Sequence, residues 1–502
     1  MANKTYYRYM SEISDSDLYE SLLGHGLFTD KLPPVFTSES FYEYCLGMNC
    51  NFEDRWYGYI KFDSIRNSNV PRQFGIPHPF AYERLCKALS LNWHNNLLPH
   101  FFVNTLRDYK VSKIHLRKMR DTKALFKMNY DNYKTDGSPE NDLLIGKRLL
   151  VKTDISTCFP SIYSHSIGWS LVGKDLCKSK IKERDLWFNV IDDEASNNKN
   201  GETHGLLIGP HASNLLAELI LTVVDSKLTK YDYLRRIDDY EMYAEDEKEA
   251  ENFLIDLSRE LGEFDLILNH KKTEIIKLPI IKEKNWVRNL NSFNLETNYG
   301  KTDYLIVRSY LDLAVELAFA NNNASAILYA FKVLADRKAK LTDNAKTLCI
   351  KESMHFAFIF PYLIPSLKEY VFDIYPFDKN ELEAFVIKLF EECLNKNNYE
   401  GAYYCLYFAI EYDLNVSNLH EDEIISTNSC VLKTVLYVYC KKYDIKDVVK
   451  KLNNHAEELL DKDYFDENWL FVYEALNNTK LTGMFKNMKL SKVSFIKKEY
   501  QF

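Results

Sequence analysis

Two patterns of hydrophobic and polar positions divide this chain. Up to the segment Lys277 to Thr302, short apolar, β-branched runs alternate with helical stretches, as an α+β unit requires. RLLVKTDI at Arg148 to Ile155 is one such run, and the Phe159-Pro160 step closes the turn after it. RRIDDYEMY at Arg235 to Tyr243 sets two adjacent aspartates between runs that can pair as a hairpin. Between them, HGLLIGPHASNLLAE at His204 to Glu218 reads as a glycine-bracketed turn entering a helix, with Ala212, Leu215, Leu216, Leu219, Ile220 and Val223 on its apolar side. Beyond Thr302 strand signals almost vanish. YLDLAVELAFA, ASAILYAFKVLA, HFAFIFPYLI, LEAFVIKLFEECL, GAYYCLYFAIEY, VLKTVLYVYC and WLFVYEALNN read as successive amphipathic helices, separated by polar turns such as Asn321 to Asn323 and Asn395 to Asn398. Residues 1–285 are therefore expected to form a mixed unit and residues 286–502 an all-helical one.

The carboxylates give the mixed unit its candidate chemistry. Asp154 ends an apolar strand, and Asp238 and Asp239 lie at a hairpin tip. Phosphoryl transfer with two divalent ions roughly 4 Å apart needs such a set, one ion activating the attacking hydroxyl and the other steadying the leaving group. Carboxylates so close repel one another unless a cation lies between them. Asp154 alone is more readily an ordinary strand-to-turn aspartate; beside the paired aspartates the metal-ligand reading becomes the stronger one.

An Asp-x-x-x-x-Phe strand, a Gly-bracketed turn into Ser-Asn-x-Leu-Ala-Glu, an Asp-Asp hairpin and an Asn-x-Lys-Lys-Thr segment, in that order, resemble the reverse transcriptases. Tyr163 to Ile167, the GETHG entry to the second motif and IDDY in the third resemble, more narrowly, the bacterial abortive-infection enzymes of the AbiK type, encoded by prophages and used against phage. The likeness runs from Arg72 to Lys277. It implies α+β fingers and palm followed by an all-α, HEAT-like helical-repeat domain in place of a thumb. Two Mg2+ ions are then expected at Asp154, Asp238 and Asp239, with Ile155 counted in the metal site. Phe159 takes the place of the aromatic that crowds the sugar 2′ position, Gly209 lies against the nucleotide, and Lys272 stands near the leaving pyrophosphate. Arg72 and Arg84, in NVPRQFGIPHPFAYERL, are candidate phosphate contacts because a guanidinium grips phosphate oxygens bidentately. The implied substrates are deoxynucleoside triphosphates and the implied product is single-stranded DNA fixed covalently to a tyrosine of the protein. A homo-oligomer and a phage-encoded trigger are further implied partners. Nothing in the spacing of the 35 tyrosines marks the primer.

Two departures bear on that reading. Many templated reverse transcriptases have Leu-Pro-Gln-Gly where this chain has Leu206, Leu207, Ile208 and Gly209, so the glutamine beside the nascent base pair is missing. Arg236 stands where the family pattern has an aromatic, and it can pair with a carboxylate, pair with a phosphate or face solvent. Template-free, tyrosine-primed synthesis, conventional RNA-directed synthesis of the retron or intron type, and a scaffold acting through partner binding all remain open. The intact carboxylates disfavour the scaffold, and the missing glutamine disfavours template copying.

Composition adds bounds. With 502 residues, 46% of them hydrophobic, the chain can bury large cores. Its ten cysteines form no Cys-x-x-Cys pair, and no run approaches the roughly 20 apolar residues of a membrane span, so a cytoplasmic protein without zinc, disulfides or membrane attachment is expected. The net charge of -8 means that any nucleic-acid groove is local. Lys110, Lys113, His115, Arg117, Lys118, Arg120, Lys123 and Lys127 form the best candidate, either as a solvated face or as fingers meeting a triphosphate, with Arg117 taken as a nucleotide contact.

Overall fold

The computed structural model describes residues 5–48, 50–127, 138–281, 283–296, 299–460 and 465–502, and over these the protein is a mostly helical α+β structure with two small sheets. β1 (Tyr59–Ile65) and β2 (Pro71–Pro77) pair as an antiparallel hairpin. β3 (Leu149–Asp154), β4 (Asp232–Arg236), β5 (Asp239–Ala244) and β6 (Glu274–Lys277) form an antiparallel sheet in the order β4-β5-β3-β6. Strand alternation decides what each face of this sheet carries. Val151, Tyr233, Tyr240 and Met242 join the main core, where the Glu247–Gly262 helix packs on β3 and β5. Leu150, Leu234 and Tyr243 form a separate small cluster on the other face. Asp154 shares the parity of Leu150, and Asp239 that of Tyr243, so both aspartates belong to this second face.

After Lys277 no further strand of either sheet occurs among the described residues. The helices that replace them begin on side-chain caps: Asp303, Thr342, Asp378, Asn398 and Ser429 each accept an amide of the first turn. The helix Tyr399–Glu411 is buried on every side from Glu400 to Ile410, as its near-uniform apolar text requires. It packs between Lys379–Asn395 and Cys430–Lys442, and the latter packs on Phe465–Ala475.

These helices also hold the β1–β2 hairpin. Asp466 accepts Arg55 and the Gly58 amide, Glu400 accepts the Ile65 amide at 2.6 Å, and Asn67 bonds Asn323. One apolar core runs through both halves of the chain without a break near residue 285. Among the described residues no helix is long and apolar enough to cross a membrane.

Candidate active site

β4 and β5 meet in a two-residue turn, Ile237-Asp238, closed by the Arg236–Asp239 pair. Such turns favour glycine or asparagine where φ is positive. Ile237 has φ +58°, a conformation that costs a β-branched residue about 1–3 kcal/mol and persists only where the surroundings enforce it. In the register of β3 with β5, Asp154 lies directly opposite Asp239. The Ile155 amide donates to the Asp238 carbonyl at 3.1 Å, joining the strand end to the turn. The strand end and the turn therefore bring the three aspartates together, and Asp154 and Asp239 line an open cavity of about 470 Å³ with Lys152, Arg236, Glu241 and Lys272. Lys271 borders both this cavity and a second one beside Thr157 and His204.

The electrostatics are those of crowded acids. Burial, then the neighbouring Asp239 carboxylate, holds the Asp238 carboxyl above the usual range, while a backbone hydrogen bond and, more weakly, the charge of Arg72 on β2 oppose the rise. Burial and then Asp154 raise Asp239, and Lys272 opposes. Asp154 is 5% exposed, its Oδ2 accepts Lys272 Nζ at 2.5 Å, and its Oδ1 makes no hydrogen bond. A buried carboxylate oxygen without a donor is costly. Among the described residues no three acidic, histidine or cysteine side chains close into a preformed metal cage. The orphaned Asp154 oxygen and the mutual repulsion of the three carboxylates nonetheless fit a hard divalent cation with oxygen ligands.

The other sequence candidates lie as follows. Phe159 is buried in the short helix Cys158–Ser161, and its carbonyl accepts the Leu206 amide, so the first and second motifs run side by side. Gly209 has φ +129°, and a Cβ there would come within 3.2 Å of the Gly75 carbonyl. Its need for glycine thus comes from the protein's own β2 backbone. Ile208 lies in the same contact, accepting the Gly75 amide. Arg72 is exposed on β2 and within electrostatic reach of Asp238.

Two arginines are placed otherwise than the sequence suggested. The Arg84 guanidinium is taken up inside the protein, bonding Glu194, Asp54 and the Phe52 carbonyl, which leaves no fork for a phosphate. Arg117 is 2% exposed, donates to the Lys113 carbonyl and lies over the Tyr9 ring. Lys110, Lys113 and His115 are buried with it, Lys113 pairing with Glu140, so half of the expected basic face is interior. Lys118 and Lys123 are paired with Asp17 and Glu20. Arg236 bonds Glu241 at 2.9 Å on the rim of the cavity.

One part of the site's scaffold was not among the sequence candidates. Arg235, fully buried behind the turn, bonds Glu218 and Asp225 of the His211–Lys227 helix and the Ile237 carbonyl. Its signal was present: Glu218 and Asp225 are seven residues apart, on the apolar face of that helix, where acids require a buried partner.

No protein-family model and no curated protein matches this chain. Among solved structures, it is similar to apo telomerase from Candida tropicalis (13% identity, 87% of this chain and 73% of that one, TM-score 0.30). It is also similar to telomerase from Candida albicans bound to a fragment of telomeric RNA (10% identity, 84% and 65%, TM-score 0.29). A third match, to C. tropicalis telomerase truncated at its C-terminal domain, has 15% identity and a TM-score of 0.27, and covers 46% of this chain and about half (51%) of that one. Likenesses this loose carry no functional argument, and the chemistry rests on the site's own geometry.

Proposed function

We propose that this protein is a nucleotidyltransferase of the reverse-transcriptase type, which adds deoxynucleotides to a tyrosine hydroxyl of the protein without copying a template, in defence of a bacterial cell against phage. The observation that carries the catalytic part is the pairing of Asp154, whose own Oδ1 is buried without a donor, with Asp239 across β3 and β5 beside Asp238. Those three carboxylates would hold two Mg2+ ions, which supply nucleophile activation and charge neutralisation when bound. Lys272 stands where a cation meets the leaving pyrophosphate, and Arg72 faces the triphosphate from β2. Phe159 limits the space for a 2′-hydroxyl. The helical half is read as a HEAT-like array standing in for a thumb, and the working form as a homo-oligomer in the cytoplasm.

Template-free synthesis is supported by Ile208 in place of a glutamine and by the interior placement of Lys110, Lys113, His115 and Arg117, which leaves little basic surface for a duplex. Purified protein given labelled deoxynucleotides and Mg2+, with no nucleic acid, tests this directly. The product should stay with the protein through denaturant and phenol and be released by protease as a peptide adduct. Label that separates from denatured protein, or appears only with a template and a free 3′-hydroxyl, selects conventional reverse transcription instead.

A further inference from the structure

We infer that Arg235 is the positioning residue of the Asp238-Asp239 turn, clamped by Glu218 and Asp225 so that it holds Ile237 in its unfavourable conformation; this rests on the nucleotidyltransferase reading above. The guanidinium has five N–H donors, and all five are used. Nε and one Nη2 proton go to Asp225 Oδ2 at 2.9 and 2.7 Å, and Nη1 and Nη2 reach Glu218 at 2.9 and 3.2 Å. The remaining Nη1 proton meets the Ile237 carbonyl at 2.9 Å. Tyr233 fixes Asp225 in turn through its other oxygen at 2.8 Å. The Arg235 backbone is also held, its amide by the Val111 carbonyl and its carbonyl by the Lys113 amide. The group can therefore neither rotate nor retreat.

What it grips is the peptide that decides where Asp238 points. Ile237 avoids positive φ when left to itself, and the next residue is a candidate metal ligand. A hydrogen bond to the Ile237 carbonyl from behind, and the Ile155 amide on the Asp238 carbonyl from the front, pin the two peptides on either side of Asp238. Burying one guanidinium between two carboxylates is a poor way to gain stability, since desolvation offsets most of the attraction. Fixing the geometry of an otherwise strained turn is a function that such a network performs well.

The test uses the full chain with Glu218→Gln and Arg235→Lys, each alone and combined with Ile237→Gly, which tolerates positive φ without help. Incorporation is followed against deoxynucleotide and Mg2+ concentration, with thermal melting alongside. Glu218→Gln should lower kcat about tenfold and raise the half-saturating Mg2+ concentration, while leaving the nucleotide KM within about twofold, because the defect is in ligand placement. Adding Ile237→Gly should return most of that loss, to within about threefold of Ile237→Gly alone. If Arg235→Lys does not fold, Glu218→Gln, which preserves side-chain volume, carries the comparison. Losses that simply multiply, or an unchanged Mg2+ requirement, overturn the inference while wild-type incorporation upholds the polymerase reading. A wild-type protein that incorporates nothing overturns both.

Discussion

Asp154 and Asp239 sit where a sheet least tolerates them, like charges directly opposite on paired strands. The raised carboxyls of Asp238 and Asp239 mean that, above the ordinary value of 3.8, the folded protein holds protons the unfolded chain has released. Stability therefore falls as pH rises through that window. Asp239 is exposed, so solvent screens much of the repulsion, and Asp239→Asn should raise the melting temperature by no more than about 1 °C at pH 7, the gain shrinking toward pH 4, as calorimetry at both values would register. Asp154→Ala and Asp238→Ala should each abolish incorporation while circular dichroism stays native; near-normal incorporation by either variant removes the metal-ligand assignment. Phe159→Ala should increase ribonucleotide use relative to deoxynucleotide use by up to about 2 kcal/mol of discrimination, and an unchanged ratio in competition assays would place sugar selection elsewhere. The acids were legible because strand ends and hairpin tips leave them few other roles. Arg84 and Arg117 were not, since a guanidinium in a sequence looks the same whether its partner is a phosphate or Glu194. Arg235 and Arg236 illustrate the same limit: strand alternation sends adjacent arginines to opposite faces, and only the tertiary partners reveal that one clamps the turn while the other bonds Glu241.

At the scale of elements, the helices after residue 302 and the strands carrying the acids were legible from periodicity, because each buries one face or all of itself. The β1–β2 hairpin was not, and neither was the interior course of Lys110 to Arg117, because both depend on contacts far away in sequence. That hairpin, which brings Arg72 toward Asp238, is anchored through Glu400, whose carboxyl burial pushes up from 4.5 to about 7, with the Ile65 amide and Ser64 opposing. The native state thus binds the proton more tightly, and wild type should lose stability as pH rises from about 4.5 to 7. Glu400→Gln removes that titration. The stability of wild type relative to Glu400→Gln should fall by about 2.5 kcal/mol between pH 5 and pH 8 in denaturant titrations, whereas a pH-independent difference would show that the carboxyl is not protonated in the folded protein.

For the molecule as a whole, a net charge of -8 and a basic segment half turned inward leave little to release counterions from a long duplex. Incorporation should then change by less than about threefold between 50 and 200 mM salt, where an enzyme making six or more phosphate contacts would lose about a thousandfold in binding. A steep salt dependence would reinstate an extended nucleic-acid track. The ion pair between Lys272 and Asp154 Oδ2 has a further meaning at this scale. The lysine is a tethered counter-ion that occupies one oxygen of Asp154 and leaves Oδ1 without a donor, so a divalent ion could bind Asp154 while the ammonium stays beside it. Carried on a flexible and largely exposed stem, that charge screens the crowded acids without closing the cavity, as a movable shield would.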